Sequence, residues 1–308
     1  MLGNLVSVIF TTSFAYSIFR ISTSLIYAGM AAVLAENCGV SNIGIEGIML
    51  ISALVAVIVS ALTGSAFWGL AAAVGAGVAV AFILAYFIFH LKTHFVLSGL
   101  SINMFAKGAT ILMLFFVTGS KGTSTTLASK TIPDVSIPFI KEIPIVGKIV
   151  SDQNILTYIA FLITGLLSYY LYETKSGLRI RAVGANPEAA ASVGVSVAGV
   201  RYKAFLLSGV LSGIAGAYLT MGYMNTFTAN MTAGRGFIAL AACSMGHNSP
   251  WATCFAALLF GTADALSSSL QTINFPTQFV QMIPYVITII GIMLYSIKAQ
   301  ADQHAVER

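Results

Sequence analysis

Long apolar runs parted by short polar interruptions set the pattern of this chain. Leu2–Phe19 and Ile21–Ala35 are apolar and separated only by Arg20, and the second run ends at Glu36-Asn37-Cys38-Gly39. Gly39–Gly47, GVSNIGIEG, is too rich in glycine and polar residues to be a lipid-facing helix interior. Backbone freed by such glycines survives at membrane depth only inside protein or against water. Apolar runs resume at Gly47–Leu62, Ala66–Phe89 and Phe95–Val117, the last preceded by a polar hinge, His90–His94. Gly119–Asn154 is the longest polar segment; with Pro133, Pro138 and Pro144 it reads as an exposed loop bearing a short hairpin or surface helix. Ile155–Tyr172 crosses back, and a second polar segment, Glu173–Lys203, follows. Beyond it lie Ala204–Tyr223, rich in Ser and Gly, a polar piece Asn225–Gly236, a short apolar piece Phe237–Met245, a turn at His247–Pro250, a run Trp251–Leu270, and a final run Gln278–Ile297. Since about 20 apolar residues cross the hydrocarbon of a bilayer, the pattern predicts an all-α, multi-pass membrane protein of about ten transmembrane helices.

The two halves repeat one layout: a helix, a glycine-broken polar piece, and further helices. Gly44-Ile45-Glu46-Gly47 before one apolar run lines up with Gly234-Arg235-Gly236 before another. Paired glycine interruptions of this kind mark internal repeats with a site between them, and they predict broken half-helices. Leu2–Phe19 and Ile155–Tyr172 each precede one unit, so an odd number of crossings separates the units and the second is inverted. Glu173–Lys203 holds Lys175, Arg179, Arg181, Arg201 and Lys203, beside the ends of its flanking helices, which places it in the cytoplasm together with both termini. Gly119–Asn154 is then extracytoplasmic, although it carries Lys121, Lys130, Lys141 and Lys148.

Composition agrees with this reading. Hydrophobic residues make up 57% of 308 positions, charged residues only 8%, and mean hydropathy is +0.90, so little chain remains for a soluble domain and residues 1–308 read as one transmembrane unit. A net charge of +5 reflects basic residues flanking the bilayer and implies no nucleic acid. Cys38, Cys243 and Cys254 are odd in number and sit in or beside apolar runs, which predicts buried free thiols rather than a disulfide framework or metal site.

Candidate chemistry is concentrated in two places. In the basic segment, Asn186 caps, Pro187 fits the first helical position, Glu188 meets the positive end of the helix dipole, Ala189, Ala190 and Ala191 propagate, and Gly194 stops the helix. Within the apolar segments stand four ionisable residues, Glu46, Lys107, Arg235 and Asp264, each too costly to leave unpaired in lipid. The expected pairs are Glu46 with Arg235 and Lys107 with Asp264, serving either a substrate path or helix packing. Asn42, Asn103, Asn225 and Asn230 add neutral hydrogen-bonding groups suited to a polar, uncharged ligand. His90 and His94 share a helix face but lack further metal ligands, Ser267–Ser269 has no nucleophile-elbow context, and no P-loop occurs. No catalytic constellation and no metal site are predicted. Inverted repeats serve stand-alone carriers too, but such a carrier has no need of a capped, protruding helix.

GVSNIGIEGIMLISA (Gly39–Ala53), GLRIRAVGANPEAAASVGVSV (Gly177–Val197) and TAGRGFIALAACSMG (Thr232–Gly246), in that order, resemble the permease subunits of bacterial ABC importers of the type II kind, nearest the nucleoside and simple-sugar branch. Ribose and branched-chain amino-acid permeases are similar in layout. The resemblance implies a coupling helix over Asn186–Gly194, with Arg181 beside it, that seats in a separate ATPase subunit holding ATP and Mg. It also implies a substrate path along Gly39–Gly47 and Thr232–Gly246 with Asn42, Glu46, Asn103, Lys107, Asn225, Arg235 and Asp264 as candidates. Implied partners are a second permease, a different chain rather than a copy, and an extracytoplasmic solute-binding lipoprotein or periplasmic protein, all at the plasma membrane. The chain departs from the family pattern at Asn37-Cys38, where a basic residue or Ser is usual, and at Gly246-His247-Asn248, in place of Gly-Arg or Gly-Lys.

Overall fold

A computed structural model describes residues 12–136 and 151–271, together with the single positions 286 and 293. Apart from those two positions, the expected last span, Gln278–Ile297, lies outside the described residues, as do the terminal tails. Ten helices occur within them: α1 (Thr12–Asn37), α2 (Ile45–Thr63), α3 (Ala66–Ala85), α4 (Phe95–Thr118), α5 (Ile155–Glu173), α6 (Lys175–Ala185), α7 (Pro187–Ser192), α8 (Val197–Tyr218), α9 (Arg235–Met245) and α10 (Pro250–Gln271). Single π-helical turns, Tyr86–His90 and Leu219–Tyr223, extend α3 and α8. Six of these units are long and apolar enough to cross a membrane, α1 to α5 and α8, so the expected total of ten spans is not reached within the described residues.

α1 corrects the sequence reading at its start, because the helix runs unbroken through Arg20. That guanidinium donates to the Tyr223 carbonyl at 2.6 Å and lies 5.1 Å over the Tyr223 ring, so protein satisfies the charge and the helix need not end there. Every residue from Ile21 to Ala35 is buried, which makes α1 the centre of the bundle. α8 packs against α3, α2 and α1. Its small residues explain how: a Cβ at Gly77 of α3 would meet the Gly209 carbonyl and lie 2.9 Å from the Gly213 Cα of α8, so the two backbones touch directly. Close backbone approach is the usual way helices associate where lipid supplies no hydrophobic drive.

The loop between α4 and α5 carries a two-residue antiparallel ladder, β1 (Asp134–Val135) with β2 (Gln153–Asn154), paired Asp134 to Asn154. This loop marks one end of the bundle. Tyr16 near the start of α1 donates its hydroxyl to the Asp152 carbonyl at 2.9 Å, and Met221 at the end of α8 accepts from the Ile132 amide at 2.9 Å. At the opposite end a Cβ on Gly39, just past α1, would lie 3.1 Å from Gly184 in α6, and α8 begins beside α7. α1 and α8 thus run in opposite directions, the inversion expected of the two repeats.

Candidate functional site

The two glycine-broken segments meet inside the bundle. Each prepares a helix start: residues 38–44 lead into α2, and residues 224–234 lead into α9, whose N-terminal neighbour Gly234 sits at φ +82, a left-handed position that glycine fills without strain. Glu46, in the first turn of α2 and 2% exposed, joins them. Its Oε1 accepts from the Thr232 hydroxyl at 2.6 Å and the Gly234 amide at 2.8 Å, and its Oε2 accepts from the Gly236 amide at 2.7 Å. One carboxylate therefore caps the start of α9 while sitting at the start of α2, where both helix dipoles favour negative charge. Gly236 is required there, since a Cβ would come within 2.7 Å of the Glu46 amide nitrogen.

Neither expected charge pair forms: Arg235 takes Asp264, and Glu46 takes Thr232 and backbone amides. Arg235 faces away from Glu46 and donates from Nη2 to Asp264 Oδ2 of α10 at 2.9 Å and from Nη1 to the Met231 carbonyl at 3.1 Å. The reason is geometric: backbone amides and Thr232 already hold both oxygens of Glu46, and the helix turn carries the side chain of Arg235 off the face that Gly236 presents. Arg235 also lies 5.9 Å over the Tyr223 ring, so Tyr223 connects Arg20 to Arg235. Lys107, the expected partner of Asp264, is instead exposed midway along α4.

The asparagines divide likewise. Asn42 is buried and closes its own turn, its Oδ1 accepting from the Gly44 amide at 3.1 Å and its Nδ2 donating to the Ser208 hydroxyl of α8 at 2.9 Å. Asn103 of α4 accepts from the Gly47 amide at 2.8 Å and donates to the Ile43 carbonyl at 2.9 Å. Both therefore serve the backbone of the first break. Asn225 and Asn230 are exposed, at φ +61 and +58 in the second break. Sequence reasoning named Thr232 only as the start of a path segment and passed over Ser208, Tyr223 and Arg20 as site members, and for Arg20 its solitary place within apolar sequence was an available signal.

At the far end, Asn186 caps α7 as expected, accepting from the Glu188 and Ala189 amides at 3.1 and 3.0 Å. α7 ends at Ser192, with Gly194 at φ +83 beyond it. Two features were not expected. Lys175–Ala185 forms a helix of its own, α6, capped by the Thr174 hydroxyl on the Gly177 amide, and Lys203 and Arg201 belong to the first turns of α8, which starts at Val197. α6 buries Gly177, Ile180 and Val183, and Gly184 abuts Asn37 and Gly39 at the end of α1. Arg181 turns back, donating from Nε to the Leu171 carbonyl at 3.0 Å and lying 4.9 Å over the Tyr172 ring. Among the protruding residues Val193 is 77% exposed. The segment is thus a pair of capped helices fixed to the ends of α1 and α5.

The two departures from the family pattern touch: Asn37 Nδ2 donates to the Asn248 carbonyl at 2.8 Å.

The sequence model of the family described as branched-chain amino acid transport system / permease component matches residues 14–292. Among individual proteins, the nucleoside ABC transporter permease NupC of Lactococcus lactis subsp. cremoris is 33% identical over 92% of this chain and 92% of its own length. The guanosine ABC transporter permease NupQ of Bacillus subtilis is 33% identical over 91% and 90%, and TsgC13 of Haloferax volcanii, described as a glucose ABC transporter permease, is 34% identical over 82% and 76%. Each of these organisms also contributes a second, more distant permease to the matches. One solved structure, an inward-facing ABC transporter described as of metal-chelate type, shares the fold with a TM-score of 0.53 at 15% identity, covering 92% of this chain and 85% of that one. With its paired glycine breaks, inverted helices and a family match over residues 14–292, this chain belongs to the ABC transporter permease family, as a non-catalytic membrane subunit.

Proposed function

We propose that this chain is one permease of an ATP-driven importer of nucleosides, purine or pyrimidine, at the bacterial plasma membrane. The observation that carries the transport mechanism is the α6–α7 unit, capped at Thr174 and Asn186 and packed on the ends of α1 and α5. A locked helix pair passes on rigid-body motion, so an ATPase subunit that binds ATP and Mg and grips α7 through Glu188, Ala189 and Val193 moves α1 with it. Gly194 and the α7 cap residues Asn186 and Pro187 define the lever, Ala190 anchors it, and Arg181 secures its base. Because α1 and α8 run oppositely, tilting one against the other opens the bundle alternately at its two ends.

The nucleoside assignment takes its support from the names of NupC and NupQ, and sugar transport is its nearest competitor given TsgC13. Asn42, Glu46, Asn103, Arg235 and Asp264 form the wall of the path and keep its two broken segments in register, while exposed Lys107 and Asn225 border it. A second permease covers the exposed side of α4. Lys107 favours a different chain there over a copy of this one, since two copies meeting about a two-fold axis would oppose like charges in low dielectric. A solute-binding lipoprotein or periplasmic protein delivers the nucleoside to the end formed by residues 119–154, and α6–α7 and both termini face the cytoplasm.

Uptake of labelled uridine and adenosine by cells carrying the full complex tests this reading. Unlabelled nucleosides compete and glucose, ribose and leucine do not; competition by a sugar or by leucine without competition by nucleosides refutes the substrate. Glu188→Lys abolishes energised uptake while leaving the amount of inserted protein unchanged. Uptake that persists without ATP in that variant is the behaviour of a stand-alone carrier.

A further inference from the structure

At the end of the bundle that bears α6 and α7, the hinge between α3 and α4 and the first turns of α8 enclose a cavity of about 590 Å³. Lys92, His94 and Arg201 line it, with Phe89 and Thr93. Arg201 lies 5.9 Å over the Phe89 ring, and its Nε is buried without a hydrogen-bond partner. Among the described residues no carboxylate stands within ion-pair distance of Lys92 or Arg201. Glu36, at the end of α1, is close enough to act on the same Cys38 thiol as Arg201 yet forms no ion pair with it. The His94 Nδ1 accepts from the Val96 amide, which leaves Nε2–H as a donor. Thr93 holds the hinge by donating its hydroxyl to the Phe87 carbonyl at 2.7 Å. Two cations, one with an unmet buried donor, thus converge at the positive end of α8 in a pocket whose lining includes no carboxylate.

A second cavity, of about 710 Å³, continues from the first, sharing Thr93 and His94. It follows the groove between α3 and α4 and is lined chiefly by apolar side chains, among them Phe87, Leu97, Ile102 and Phe105. Lys107 lies roughly 150° around α4 from this groove, so the groove and the side that carries Lys107 are distinct faces.

We propose that the two cavities form one binding site for an anionic glycerophospholipid, its phosphate held by Lys92, His94 and Arg201 and an acyl chain laid along the α3–α4 groove. Basic pockets between transmembrane helices at a helix-end level suit anionic headgroups, and the planar guanidinium offers paired donors to a phosphate. A soluble anion would leave the adjoining apolar groove without purpose. The inference rests on the membrane-spanning fold and not on the transported solute, so a wrong substrate assignment leaves it standing.

The test uses the full-length protein, purified in mild detergent and in nanodiscs of phosphatidylcholine with or without phosphatidylglycerol, read by native mass spectrometry and thermal unfolding. Phosphatidylglycerol is retained in preference to phosphatidylcholine by roughly tenfold or more, the effect of two cationic contacts. Lys92→Gln with Arg201→Gln removes that preference, whereas Lys92→Arg with Arg201→Lys keeps it, which separates loss of the site from loss of the fold. Phe105→Ala weakens retention of either lipid. Equal retention of both lipids by the native protein, or unchanged preference in the Gln variant, overturns the proposal. Stabilisation by inorganic phosphate in pure phosphatidylcholine without lipid preference reassigns the site to a free anion. Loss of the co-purifying ATPase from the Gln variant with lipid retention intact reassigns it to a protein contact.

Discussion

Glu46 accepts three hydrogen bonds from the opposite repeat, and its removal costs more than that of any other single carboxylate in the described bundle. Glu46→Gln keeps the shape but turns one acceptor into a donor facing a backbone N–H. It loses about 2–3 kcal/mol, the scale of a hydrogen bond to a charged group, seen as a lower unfolding temperature of the purified protein. Asp264→Asn leaves Arg235 partly buried and uncompensated, and destabilises by roughly 2–4 kcal/mol after allowance for partial exposure. Replacing both members of that pair with Met and Leu recovers most of this, so a double-mutant cycle distinguishes a packing pair from an indispensable one. At the break after α1, burial pushes the Cys38 thiol from 9.0 up to about 12, only partly offset by the Val40 amide and Arg201. Folded protein therefore resists maleimide at neutral pH. Between about pH 9 and 12 only the unfolded chain ionises this thiol, so the fold loses stability as pH rises through that window. Glu46, Arg235 and Asp264 were legible as residues in need of partners, because a charge in an apolar run is costly. Which partner each has was not, since pairing depends on how helices rotate against one another, across 186 residues of chain from Glu46 to Thr232 and across 29 from Arg235 to Asp264.

Among the helices, α7 was legible and α6 was not. Asn186-Pro187-Glu188 is a local signal, with cap, fixed φ and dipole partner contiguous in sequence. α6 contains two glycines and three basic residues, Gly177 and Gly184 among them, and only its packing against α5 and α1 reveals why they are there: a Cβ on either would run into backbone. Asn186→Ala costs about 1 kcal/mol of helix stability and lowers ATP-dependent uptake more than it lowers the amount of inserted protein, as measured on membrane vesicles. Gly77→Val pushes α3 from α8 and costs 1–3 kcal/mol or more by the usual price of overpacking, about the same as its mirror substitution at Gly209. Equal uptake and stability in Gly77→Val would mean that these helices separate without loss.

For the whole molecule, the opposed courses of α1 and α8 determine which loops share a side. Val193 and Asn225 sit at opposite ends, and the described cysteines are all buried. Val193→Cys reacts with a membrane-impermeant maleimide only after the cytoplasmic face is opened, and Asn225→Cys reacts from outside intact cells. Labelling of both from the same side rejects the assigned orientation.

Hydropathy along the chain was sufficient to establish a multi-pass helical membrane protein, the place of its two broken segments and the capped helix that protrudes from it, because those properties come from short-range chemistry: runs of apolar residues, glycines that cannot face lipid, and a cap beside its helix. The contact of the two breaks through Glu46, the partnership of Arg235 with Asp264, the continuity of α1 through Arg20 and the union of α6 with α1 were decided only by tertiary structure. Each depends on which faces of separate helices turn toward one another, and in a bundle where nearly every face is apolar the pattern along the chain carries no record of that rotation.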